Sequence, residues 1–166
     1  MKKHFKVLTC ITMSICLLVA CVMTTSTASA AGAISANDTD QKDTITFDDG
    51  SYCIVTTTET TLPSVARGTT HTKQAKKSYK YYNSSDVLCW TYTLHGTFMY
   101  DDYLVVCSDV SHSIAIDRPD HWVYDGGKRW KQGNTAYGTA TFSLIGFSAK
   151  KTAKLQISCT KHGVIS

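Results

Sequence analysis

Residues 87–100, VLCWTYTLHGTFMY, constrain the fold more than any other stretch, because their apolar members recur at a period of two. Leu88, Trp90, Tyr92, Leu94, Phe98 and Tyr100 fall on even positions, while Thr91, Thr93, His95 and Thr97 fall on odd ones. Successive side chains of a strand point to opposite faces, so the first set lines a core and the second an outer surface. A helix would scatter the apolar set around its circumference, and the aromatic and β-branched content also favours a strand. The spacing predicts a central strand in an antiparallel sandwich.

The chain opens with Lys2, Lys3 and Lys6, an apolar run over residues 7–23, and then the small, hydroxylated TTSTASA. That layout predicts a secretory signal over residues 1–30, with release after Ala30. The run falls short of the roughly 20 residues that a membrane span needs. Leu18-Val19-Ala20-Cys21 offers an alternative, a lipid anchor on Cys21, although the apolar run continues past it through Val22 and Met23.

Export changes the meaning of the charge. Removing residues 1–30 takes away three of the 17 basic residues and none of the 13 acidic ones, so 14 minus 13 leaves +1. Net charge then gives no support to a nucleic-acid partner, and none is expected. Residues 31–65 carry six acids against Lys42 alone, giving −5, and residues 66–166 carry 13 bases against seven acids, giving +6.

What remains after cleavage suffices for one domain. Residues 31–43 read as a disordered acidic lead. Residues 44–58 read as a hairpin turning at Asp49-Gly50, and the Ser/Thr-rich residues 59–75 with Pro63 as a linker. The domain proper is expected over residues 76–166. SYKYY ends at the turn formers Asn83-Ser84-Ser85-Asp86, and Asp101-Asp102 turn the central strand into YLVVC. A long segment runs on to Pro119, and Gly126-Gly127 give another hairpin signal. Ala136, Gly138, Ala140, Phe142 and Leu144 share one face of a later strand, and KLQISC closes the set with Leu155, Ile157 and Cys159 inward. No helical period competes. Short strands between frequent turns predict an all-β sandwich, with immunoglobulin-like topology as the default.

YKYYNSS, LCWTYTLHGTFMY, a cysteine seven residues on, Trp122, GNTAYGTATF and the closing LQISCTKHGVIS together resemble a group of small secreted proteins of Gram-positive bacteria with no established function. The likeness spans about residues 47–166. It departs at Asp101-Asp102, where the group shows a small turn such as Asn-Gly, and Cys53 and Cys89 are not typical of it. The resemblance implies a shared β-fold and export, and no chemistry.

Four cysteines remain in the exported chain, an even count that favours disulfides. Cys107 and Cys159 sit with the apolar faces of their strands and are expected to pair. That leaves Cys53 with Cys89, provided the N-terminal hairpin lies along the outer face of the central strand; otherwise these two are free thiols or bridge between molecules.

No catalytic constellation assembles. Cys89 and His95 share a face, but six residues of strand hold them about 20 Å apart, too far for a nucleophile and its base, which leaves Cys89 with His112 or His162 as the open pairings, supported by no family motif. The cysteines and histidines lack the close spacing of zinc ligands, and Asp117, Asp120 and Asp125 follow no calcium-loop pattern. The expectation is therefore a non-enzyme without metal or cofactor.

Aromatic residues give the functional lead. Tyr79, Tyr81, Tyr82, Trp122, Tyr124 and Trp130 exceed what a small domain buries once Trp90, Tyr92, Phe98 and Phe142 fill its middle. Tyr81, Trp122, Tyr124 and Trp130, near turns, are the expected binding residues, for a cell-wall polysaccharide or an extracellular protein. The plainer account is that these rings complete the core. Lysines interleave with them at Lys76, Lys77 and Lys80 and at Lys128-Arg129-Trp130-Lys131, a pattern that also suits an anionic wall polymer or a membrane-active antibacterial protein.

Overall fold

The computed structural model describes residues 41–62 and 70–166. The signal over residues 1–30, Cys21, and most of the acidic lead lie outside the described residues.

Eight strands succeed one another: β1 (Gln41–Thr46), β2 (Tyr52–Leu62), β3 (His71–Tyr82), β4 (Leu88–Tyr100), β5 (Val105–Ile116), β6 (Trp122–Gln132), β7 (Thr135–Leu144) and β8 (Lys150–Ser158). They form two antiparallel sheets, β1-β2-β3-β4-β5 and β6-β7-β8. The all-β sandwich expected from the sequence is what the chain adopts. Its order is sequential throughout both sheets, so the crossing connections of the immunoglobulin order do not occur among the described strands.

The stretch with the clearest alternation is β4. Its Trp90, Tyr92, Leu94 and Phe98 are all fully buried, and they face β7, where Ala136, Ala140 and Phe142 are equally buried. Trp90 stacks on Phe142 with centroids 3.9 Å apart and planes 10° from parallel. Tyr79 and Tyr81 of β3 stack on the same indole at 5.5 and 5.0 Å. The core is thus a file of rings crossing from one sheet to the other.

The described ends of the Thr-rich segment expected to be a linker are strand, and its middle, residues 63–69 with Pro63, lies outside the described residues. Residues 59–62 continue β2 and residues 71–75 begin β3, paired from Glu59↔Ala75 to Leu62↔Thr72. The hairpin of residues 44–58 and the strands β3, β4 and β5 therefore belong to one sheet, and β1 begins at Gln41, inside the expected lead. Threonine is a strand former whose hydroxyl suits the outer face, and here its polarity marks that face rather than a loop.

Three bulges interrupt the alternation, at Tyr81/Tyr82, Thr97/Phe98 and Tyr124/Gly126. Each adds a residue and shifts the parity of the strand beyond it. Along β5, Cys107 opposes Phe98 and Asp109 opposes Thr97, so the inward set changes from Val105 and Cys107 to Val110, His112, Ile114 and Ile116. The long segment after Ser108 is accordingly strand as far as Ile116. Gly126-Gly127, expected as a hairpin turn, lies inside β6 at the third bulge, with Gly126 at φ 118°. The turn comes later, at Gly133-Asn134, where only the glycine has positive φ, the type II′ form.

Several groups tie stability to pH. His95 and His112 lie below the usual imidazole value, His95 through burial and then Lys76, and His112 through burial and then Arg129. The folded state prefers these rings neutral, so stability present above about 6.5 is lost as pH falls through their folded values. Asp49 acts the same way lower down. The Ser51 hydroxyl and then Lys151 hold it at about 2, against 3.8 ordinarily, so its share is lost as pH falls from near 3.8 toward 2. Urea midpoints are expected to hold between pH 8 and 7 and to decline steadily below about 6; a chain more stable at pH 4 than at pH 7 would contradict this.

Candidate functional site

The four residues singled out for binding go to different places. Tyr81 (3% exposed) and Trp122 (7%) are core side chains that meet edge to face at 5.3 Å. Tyr124 points inward, half-buried, against Phe142 at 5.7 Å. Trp130 alone is displayed, 45% exposed on the outer face of the three-stranded sheet. The other three join the rings between the sheets, Tyr81 and Trp122 against Trp90 and Tyr124 against Phe142.

Trp130 does not stand alone. The register set by the Gly133-Asn134 turn places it opposite Tyr137, and the two rings stack at 5.1 Å with planes 7° apart. Gln156 of β8 completes that row across the sheet. The next row is Lys128, Thr139 and Lys154, and the one after it Gly126, Thr141 and Thr152, whose two hydroxyls lie 3.1 Å apart. Val123, Ser143 and Lys150 come next, where Asp125 accepts hydrogen bonds from Ser143 and Lys150. The result is a polar face with one aromatic pair, which spans β6 and β7. The sequence pattern does not single out Tyr137 or Lys154, yet strand parity already sets Tyr137 opposite in direction to its inward neighbours Ala136 and Gly138.

The five-stranded sheet presents a different outer face. Thr56, Ser78, Thr93 and Ser113 form one row of hydroxyls across four strands, and Thr58, Lys76, His95 and Ser111 the next. Ser78 and Thr93 are hydrogen-bonded at 3.0 Å, and His95 Nε2 lies 3.3 Å from the Ser113 hydroxyl. A shallow groove of about 370 Å³ runs over this second row. No Phe, Tyr or Trp lines it; its rings are the imidazoles of His95 and His112.

All four described cysteines are buried free thiols. Burial pushes Cys89, Cys107 and Cys159 up, which keeps them protonated and unreactive. Cys53 opposes Tyr81, which opposes Trp90, so Cys53 and Cys89 lie two strands apart, about 9.5 Å in strand spacing. That exceeds what a disulfide spans, and the Cys53–Cys89 pairing is corrected accordingly. Cys89 has the parity of the outer face in the sequence; the bulge beside it turns the side chain inward, where it is 2% exposed. Cys107 and Cys159 face inward as expected and share one anchor. Their amides donate to the carbonyls of Gly133 (2.9 Å) and Asn134 (3.1 Å), adjacent residues of a single turn.

Among the described residues no group of three or more His, Cys, Asp or Glu side chains is placed to hold a metal ion. Compared with known proteins, the chain matches no family model, no curated protein and no solved structure.

Proposed function

We propose that this protein is exported and acts, without catalysis, as a binding module for a polysaccharide of the cell envelope, which it meets with the outer face of β6-β7-β8. The observation that carries the reading is the near-parallel stack of exposed Trp130 on half-buried Tyr137, set side by side on paired strands. A sugar ring presents an apolar face to an indole and a rim of hydroxyls to its neighbours, and Gln132, Gln156, Thr139 and Lys154 stand around the pair to meet that rim. Export rests on the charged, apolar and small-residue layout of residues 1–30, with Cys21 as the alternative anchoring point.

The test is co-sedimentation of the mature protein with insoluble envelope polysaccharide. Trp130→Ala is expected to weaken retention at least about tenfold, the usual loss for a central interface tryptophan. Its melting curve should barely move, since the side chain is exposed. Trp122→Ala serves as the contrast: it should unfold the protein, and unaltered retention by a folded Trp130→Ala would overturn the reading.

A membrane-active role is favoured by one other feature, the β7–β8 turn, where Ile145 is 48% and Phe147 72% exposed. Leakage from dye-loaded liposomes separates that reading from a passive binder.

In the exported form we also infer a Cys107–Cys159 disulfide across the Gly133-Asn134 turn. Closing a loop of about fifty residues is worth roughly 4 kcal/mol in the chain-entropy model. Thiol titration of unfolded protein taken from the culture medium should find two reactive thiols rather than the four of the reduced chain; four would refute the bridge.

A further inference from the structure

We propose that the polymer recognised by the three-stranded face is a polyanion, a glycan or polyol chain linked through phosphodiesters. This rests on the reading of that face as the binding site and specifies what it binds. The carrying observation is a pair of unpaired cations in one row. Lys128 of β6 and Lys154 of β8 flank Thr139, so two strand spacings of about 4.8 Å put their backbones roughly 9.6 Å apart. Both side chains point outward from exposed positions, and neither makes an ion pair or hydrogen bond among the described residues.

The surroundings reinforce them. By strand register the outer face carries Lys128, Lys150 and Lys154 against Asp125 alone, a balance of +2. Lys150 neutralises that one acid; Arg129, Lys131 and Lys151 have the parity of the inner face, where Lys131 donates to the Ser108 carbonyl and Lys151 lies 2.9 Å from Asp49 of the β1–β2 turn. Lys128 and Lys154 are left as point charges beside the aromatic row. An ammonium group binds a phosphate as a compact charge without needing bidentate geometry, and two of them one row from a stacking platform suit a chain that alternates rings or polyols with phosphates.

Two other polyanionic surfaces fit less well. A bilayer would require apolar side chains to enter it, and this face offers threonines and glutamines between its lysines, with Val123 at its far corner. Single-stranded nucleic acid stacks successive bases along a file of rings, and here one pair serves a single position.

The decisive experiment compares wall sacculi that carry phosphodiester-linked polymer with the same sacculi stripped of it by hydrofluoric acid. Wild-type protein is expected to bind the loaded sacculi at least about tenfold more tightly, and to lose that advantage as salt rises from about 0.05 to 0.5 M. The double variant K128Q/K154Q, folded by circular dichroism, should bind both kinds equally, and soluble poly(glycerol phosphate) should displace wild type alone. The inference is overturned if wild type binds both sacculi alike, or if K128Q/K154Q keeps the preference. Binding to anionic vesicles or to poly(dT) as tight as to poly(glycerol phosphate) overturns it as well. In either case, weakened binding of Trp130→Ala to stripped sacculi would leave the broader polysaccharide reading standing. If Trp130→Ala binds both as wild type does, that reading falls too.

Discussion

Trp90→Ala is expected to remove about 3–5 kcal/mol of stability, which for a domain of this size is enough to leave little folded chain. Trp90 is fully buried and is the common partner of four rings: Tyr79, Tyr81, Phe142 and, edge to face, Trp122 at 6.3 Å. Three of the four belong to other strands of the core on either side of it, β3 and β7, so truncation opens a void that neither sheet can close alone. Its Nε1–H has no hydrogen-bond partner, so deleting it relieves a buried unpaired donor and offsets only a small part of the loss. Chemical denaturation monitored by far-ultraviolet circular dichroism checks the loss. A shift under about 1 kcal/mol would mean that the aromatic file is not what joins the sheets.

A second large effect comes from adding one carbon atom. A Cβ at Gly138 would lie 2.2 Å from the Tyr92 hydroxyl and 2.8 Å from Leu94 Cδ1. Tyr92 and Leu94 are themselves fully buried, so neither can swing away, and Gly138→Ala should cost roughly 1–3 kcal/mol as overpacking. The hydroxyl is the removable part of the clash. It has no hydrogen-bond partner, and burial pushes its pKa up to about 12. Tyr92→Phe by itself should therefore be neutral or stabilising, because it deletes a buried polar group that satisfies nothing. Combined with Gly138→Ala, it should restore a substantial part of the loss, giving a coupling energy of about 1 kcal/mol in the double-mutant cycle. Strict additivity would show that β4 and β7 do not approach as closely at this point.

The centre of this fold is plain in the sequence and its edges are obscure, for a physical reason. Where alternation is unbroken, as in β4 from Trp90 to Phe98, or in β8 at Leu155, Ile157 and Cys159, parity alone identifies the buried face. A bulge breaks that rule while leaving no residue type of its own. Parity therefore sends Cys89 to the wrong face and ends β5 too early, and Gly126 looks like a turn because a positive φ serves a bulge as well as a hairpin. The threonines of β2 and β3 mislead in another way. A strand whose outer face is hydroxylated carries the composition of a linker, and only the pairing partner across the sheet distinguishes the two. Nothing in the sequence shows that rings of β3 and β6 pack on Trp90 and on one another, which is why Tyr81 and Trp122 are expected at the surface. Of the candidate site, Trp130 and its neighbouring lysine Lys128 are legible in the local sequence. Tyr137 requires the two-residue turn to fix the register, and Lys154 requires the pairing of a third strand.

The most direct test of a binding face on β6-β7-β8 is chemical-shift mapping of the mature, isotope-labelled protein against soluble envelope glycan fragments. The indole Nε1–H of Trp130 and the amides of Lys128, Tyr137 and Lys154 are predicted to move together and to saturate together, while the Nε1–H signals of Trp90 and Trp122 stay in place. Shifts confined to the groove around His95 and Ser111 on the opposite face, with Trp130 unmoved, would contradict it.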